Sequence, residues 1–179
     1  MTVPQREAAD ALENVKNAHQ RSVTAYRYEK FSPHLFLWGV IWIIGYTVPY
    51  FRPGGWRVWL VLIPVGILSG IWIDKRARRS RGWNYGVNCL AIILFIYAVY
   101  AILPPKSDVQ AAAFFPLLVA LIYVLVGVWT RAARIALLGF ALGVLTVGGF
   151  FWLPQYFLLW MAGLGGGALI LGGFWLRRV

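Results

Sequence analysis

The sequence predicts an all-α integral membrane protein with six membrane-spanning helices and an amphipathic amino-terminal helix. Three observations carry this. Sixty per cent of the 179 residues are hydrophobic and only 13% charged, against about 45–50% and 25% in soluble domains. A chain of this size has too little interior to hide so much apolar surface from water. The charges also fall between apolar runs of span length rather than being scattered through them.

The first 30 residues form the amino-terminal unit and residues 31–179 the membrane unit. In the tail, Thr2-Val-Pro-Gln5 reads as a capping box with proline in the first turn. Glu7, Asp10 and Glu13 come early and Arg21, Arg27 and Lys30 late, which complements the helix dipole. Ala8, Ala11, Val15, Ala18, Ser22 and Ala25 recur at heptad spacing. That narrow stripe reads either as the underside of a helix lying on lipid headgroups or as a face that docks a membrane or cytoplasmic protein partner. Ser32-Pro33 reads as the cap and first turn of a separate first span.

The charge-free runs are Phe31–Phe51, Val58–Ile73, Gly82–Pro105, Val109–Thr130 and Ile135–Leu176. A span needs roughly 20 apolar residues, so each of the first four is one span. The fifth would be about 63 Å long as a single helix, twice the hydrocarbon core, and must fold back. Pro154-Gln155 is its turn, since proline disfavours helix in the residue before it. The expected spans are 33–51, 56–73, 85–104, 109–130, 133–153 and 156–176.

Arginine and lysine set the expected orientation. Fourteen lie in the tail, in the cluster Lys75, Arg76, Arg78, Arg79 and Arg81, at Arg131 and Arg134, and at Arg177 and Arg178. Three lie on the other side: Arg52, Arg57 and Lys106. This bias puts both termini on the cytoplasmic side of a cell's inner (plasma) membrane, with the basic clusters against anionic lipid headgroups. Clusters at the ends of apolar runs account for the net charge of +11 without nucleic acid.

Even-numbered spans end in Gly-x-Trp and then a basic residue: Gly70-Ile-Trp72, Gly127-Val-Trp129 and Gly173-Phe-Trp175. Odd-numbered ones end near proline, at Pro49, Pro104 and Pro154. The echo implies three helical hairpins built from consecutive spans. This layout resembles small bacterial inner-membrane proteins made of repeated hairpins, of the acid-resistance HdeD type. The resemblance implies a fold and a compartment, and carries no functional residue over.

The pairs Gly66/Gly70, Gly139/Gly143 and Gly163/Gly167 are expected to bring helix backbones close together. Tyr46, Asn88 and Tyr123 are the chief candidate buried polar residues, and Asn88 in hydrocarbon would need an interhelical partner. Trp38 and Trp42, one turn apart, could flank a flat apolar ligand. The other tryptophans near span ends read as interfacial anchors. His34 and Asp74 read as interfacial residues.

The sequence holds no metal-ligand cluster, cofactor fingerprint or nucleophile motif, so the expectation is no metal, no cofactor and no enzyme. Cys89 stands alone. A midplane without ionisable groups argues against proton-coupled transport. The expected function is a non-enzymatic sensor, regulator or accessory subunit of a membrane complex. The alternative is a small uniporter or channel for an uncharged or apolar solute.

Overall fold

The computed structural model describes residues 3–76 and 82–178, all helix and connecting turns. Thr2 of the expected capping box and the basic residues Arg78, Arg79 and Arg81 lie outside the described residues. The helices are α1 (Val3–Phe51), α2 (Trp59–Arg76), α3 (Gly82–Ile102), α4 (Asp108–Trp129), α5 (Ala133–Trp152), a four-residue α6 (Phe157–Trp160) and α7 (Gly166–Arg177). A π-helical turn, Met161–Gly165, joins α6 to α7, so Pro154–Arg177 forms one rod. Among the described residues six helices are thus long and apolar enough to cross a membrane. The long fifth apolar run turns back through a 3-10 turn at Pro154–Tyr156.

The first departure from expectation is α1. Tail and first span are one helix of 49 residues, running through Pro33 without a break and about 74 Å long. The local preference against helix before proline is overridden by packing. Ser32 is fully buried, and its hydroxyl donates to Gly173 O on α7 at 2.9 Å instead of capping a new helix.

The second departure is the pairing. The hairpin reading requires α3 to pack along α4, yet these two meet only near their loop, where Tyr100 Oη donates to Ala111 O at 2.6 Å. The most extensive contacts are α4 with α5 and α1 with the sixth rod; α1 with the second span, α5 with the sixth rod and α2 with α3 are smaller. The first of those two pairs is joined by the short turn at residues 130–132, and the second brings the two ends of the chain together. The repeated endings of the apolar helices therefore do not report which helices pair.

The core gathers around the second half of α1. Trp42 and Tyr46 are buried beside Leu142, Phe157, Met161 and Leu169. Phe115 and Trp59 close rings against Trp42 and Tyr46, at centroid distances of 5.7 Å and 5.4 Å. Tyr46 Oη donates to Ala112 O at 3.1 Å, which satisfies a polar group inside the apolar core. The two faces of Trp38 and Trp42 are therefore not a ligand slot: Phe115 packs on both, at 6.5 Å and 5.7 Å.

α4 starts at Ser107, whose Oγ accepts from Gln110 N at 3.1 Å, while Gln110 Oε1 accepts from Lys106 N at 2.8 Å. This reciprocal pair satisfies donors that a helix start leaves without intrahelical partners.

Candidate functional site

The residues of α1 from Arg27 to Trp38 gather most of the polar contacts between helices, at the end of the bundle that carries the basic clusters. The helical period divides them into two faces. Tyr28, Ser32 and Leu35 point one way and are buried. On that side Tyr28 Oη accepts from Arg134 N at 3.3 Å, and Arg177 Nε donates to Ser32 Oγ at 2.9 Å. Arg27 donates to Thr130 O on the turn between α4 and α5. The Arg177 guanidinium lies 4.8 Å over Phe36, a cation–π contact that adds to the clasp.

His34 and Trp38, one turn apart, face α2 and α3. His34 Nε2 lies 3.2 Å from Asp74 Oδ1 on α2, and Asp74 is buried. The imidazole stacks on Tyr85 of α3 at a centroid distance of 4.6 Å. Trp38 Nε1 donates to Tyr85 Oη at 2.9 Å. Tyr85 fits there because Gly70 lies under it; a Cβ on Gly70 would come within 2.2 Å of the ring. Four side chains from three helices thus form one linked polar cluster. A carboxylate taken from water needs such partners, because its desolvation costs several kcal/mol.

The sequence contained a signal for Asp74 that its reading as an interfacial residue missed. Gly66, Gly70 and Asp74 sit at i, i+4 and i+8 on one face of α2, and all three are buried. A carboxylate in register with packing glycines belongs to the packed face.

The candidate packing glycines divide. A Cβ on Gly66 would meet Ile41 Cδ1 at 2.7 Å, and one on Gly139 would meet Ala120 O and Val124 N at 2.7 Å. Gly143 makes only an ordinary contact, 3.7 Å from Ala120 Cβ. At Gly163 and Gly167 nothing lies within 4 Å, so neither mediates helix packing. The sixth rod packs instead through Gly166, whose Cβ would meet Gly39 O at 2.9 Å, and through Gly172 and Gly173. Ala162, Gly166, Leu169 and Gly173 are buried at ordinary helical spacing, so the packed face lies one residue before the Gly163/Gly167 pair. A spacing of four shows that two glycines share a face, not that this face is the packed one.

Of the candidate buried polar residues, Tyr46 is buried as described, and Tyr123 is half-buried with its ring edge-on to Phe31 at 6.4 Å. Asn88 is not buried: it lies on the exposed face of α3. α3 leans mainly on α2, so most of its surface stays uncovered. Asn88→Leu should therefore leave the melting temperature in detergent unchanged or slightly higher, with any loss under about 0.5 kcal/mol. A clear drop would place Asn88 in a contact between helices.

The tryptophans read as anchors also divide. Trp129 and Trp152 are almost fully exposed, whereas Trp59 and Trp160 turn inward onto Gly45 and Gly149. Along the amino-terminal stretch Ala11, Val15, Ala18 and Ser22 are exposed, with Val15 at 67%. Ala8 belongs to α1, its side chain lying outside the described set. Among the described residues no three His, Cys, Asp or Glu side chains gather as a metal-ligand set. Comparison of the chain with protein families, with curated proteins and with solved structures finds no match.

Proposed function

We propose that this is a multi-pass protein of the cell's inner (plasma) membrane, with both termini in the cytoplasm. It acts there without catalysis, as a sensor, regulator or accessory subunit of a membrane complex. Its amino-terminal helix meets a cytoplasmic or membrane partner through the stripe Ala8, Ala11, Val15, Ala18 and Ser22.

One observation carries this reading: the helix that would meet the partner is the same helix that organises the core. α1 is exposed along residues 10–19 and buried at Trp42 and Tyr46. A continuous helix is stiff, so a shift at the core end is transmitted to the projecting end without loss in a flexible linker. The clasp around Tyr28 and Ser32 holds the rod where it leaves the bundle. The filled aromatic core between α1, α2 and α4 favours this reading over a solute path through that region.

The test is a pull-down from native membranes with three forms of the protein. The double variant Val15→Glu, Ala18→Glu charges the stripe and keeps the helix; it should lose one specific band that the wild type retains. Thr24→Pro breaks the rod at a cost of about 3 kcal/mol of helix stability while leaving the stripe intact. It should keep the band but lose the regulatory output. Identical bands from wild type and double variant would overturn the docking face. Topology is checked separately: reporters fused after Arg76 and at the carboxyl terminus should read cytoplasmic, and one at Lys106 external. A cytoplasmic signal at Lys106 would refute the six-span arrangement.

A further inference from the structure

The turn between α4 and α5 combines a backbone strain, an uncommitted cation and a groove. α4 ends in a Schellman-type turn: Arg131 N donates to Val128 O at 3.1 Å, and Ala132 N donates to Gly127 O at 2.8 Å. The residue between them adopts the left-handed conformation, with φ 52°. Glycine is the usual occupant of that position because a Cβ is disfavoured there, yet here it is Arg131.

The other arginine of the turn is used by the fold. Arg134 Nη1 donates to Trp175 O at 2.9 Å, and its guanidinium lies over the rings of Tyr28 and Trp175 at 5.7 Å and 5.2 Å. Arg131 is exposed and lines a groove instead.

That groove is the outer seam between α4 and α5. Next to Arg131 it has a volume of about 480 Å³ and is walled by Val124, Gly127, Ala136, Leu137 and Phe140. It continues past Val124 and Phe140 into a second depression of about 600 Å³ with an apolar lining. The seam is bare of side chains because the two backbones touch. A Cβ on Gly127 would stand 2.3 Å from Ala136 N. The part next to Arg131 covers about 10 Å of α5, from Ala133 to Phe140, and the two depressions together run about 28 Å, to Trp152, close to the full thickness of a hydrocarbon core.

We propose that this groove is a binding site for an anionic phospholipid of the cytoplasmic leaflet, with one acyl chain along the α4–α5 seam and its phosphate on Arg131. The proposal rests on the membrane reading above. An apolar groove that ends in a cation at headgroup level matches a negatively charged head on a hydrocarbon tail, and its length exceeds what one acyl chain needs. A second copy seated there about a twofold axis would bring two Arg131 side chains together, and like charges oppose that arrangement.

The test is native mass spectrometry of the full chain in neutral detergent, titrated with phosphatidylglycerol and with phosphatidylcholine of the same acyl chains. Wild type should bind phosphatidylglycerol at one molecule per chain and prefer it about fivefold, the effect of one basic residue at a charged surface. Arg131→Gly should abolish the preference by weakening phosphatidylglycerol more than phosphatidylcholine, whose phosphate charge is offset by its choline. Its melting temperature should not fall, because glycine accepts φ 52° without strain; the loss therefore cannot come from misfolding. Leu137→Trp fills the groove from an exposed position and should weaken both lipids alike. Equal binding of the two lipids by wild type, a preference that survives Arg131→Gly, unaltered binding by Leu137→Trp, or a two-chain species without lipid would each overturn the proposal. Alkaline carbonate extraction separates the two readings. Release of the chain from membranes would sink the membrane reading itself, whereas a retained chain without lipid preference sinks only this site.

Discussion

Gly39→Leu and Gly166→Leu should each destabilise the protein by about 3 kcal/mol, at the upper end of what overpacking costs, and Gly167→Leu should not. At Gly39 a Cβ would lie 2.9 Å from Gly166 O and 2.6 Å from Ile170 Cγ1; at Gly166 it would lie 2.9 Å from Gly39 O. The crossing of α1 and α7 is thus backbone against backbone. A flexible side chain can swing aside, but a main-chain carbonyl cannot move without displacing its helix. Gly167 is the next residue along α7, yet the space beyond its Cα is open. Leucine there meets no neighbour and improves helix propensity by up to about 1 kcal/mol. Equilibrium unfolding in mixed detergent micelles measures all three variants. Equal damage from Gly166→Leu and Gly167→Leu would mean that Gly167 also faces the crossing with α1.

Removing either partner of the His34–Asp74 pair should also be costly. Asp74→Ala and His34→Ala should each lower stability by up to about 3 kcal/mol, because breaking a buried pair leaves the remaining group desolvated. The double variant should lose less than the sum of the two, with a coupling of about 1–2 kcal/mol, as for hydrogen-bonded neighbours in membrane proteins. Tyr85→Phe is the internal control. It keeps the ring that stacks on His34 and sits on Gly70, and loses the hydroxyl that accepts from Trp38 Nε1 and hydrogen-bonds with Cys89. It should cost about 1 kcal/mol. Strict additivity of the two alanine variants would show that the contact of 3.2 Å carries no energy.

Arg131 and Arg134 show how far charge can be read from the chain alone. Both count equally in the bias that orients the spans, since that bias depends only on number and position. In three dimensions one is spent on Trp175 O and two aromatic rings, and the other lines a groove. Tyr46 and Gly66 were legible as packing residues because each stands in a regular α-helix, where spacing reports the buried face. Asn88 was misjudged for a different reason. Its helix is apolar all round, so nothing in the pattern marked which side meets α2 and which is uncovered.

The sequence by itself determined the number of apolar helices, their approximate ends and the fold-back at Pro154. These depend on length, charge and proline, which act within a few residues along the chain. Only the tertiary structure decided that α1 runs unbroken through Pro33, that α1 pairs with the sixth rod, and that this rod packs through Gly166 and Gly172 and not through Gly163 and Gly167. Each of those outcomes depends on contacts between residues far apart in sequence, such as Ser32 with Gly173 and Gly39 with Gly166. Local propensity is worth up to about 0.7 kcal/mol per ordinary residue, and buried contacts of this kind outweigh it.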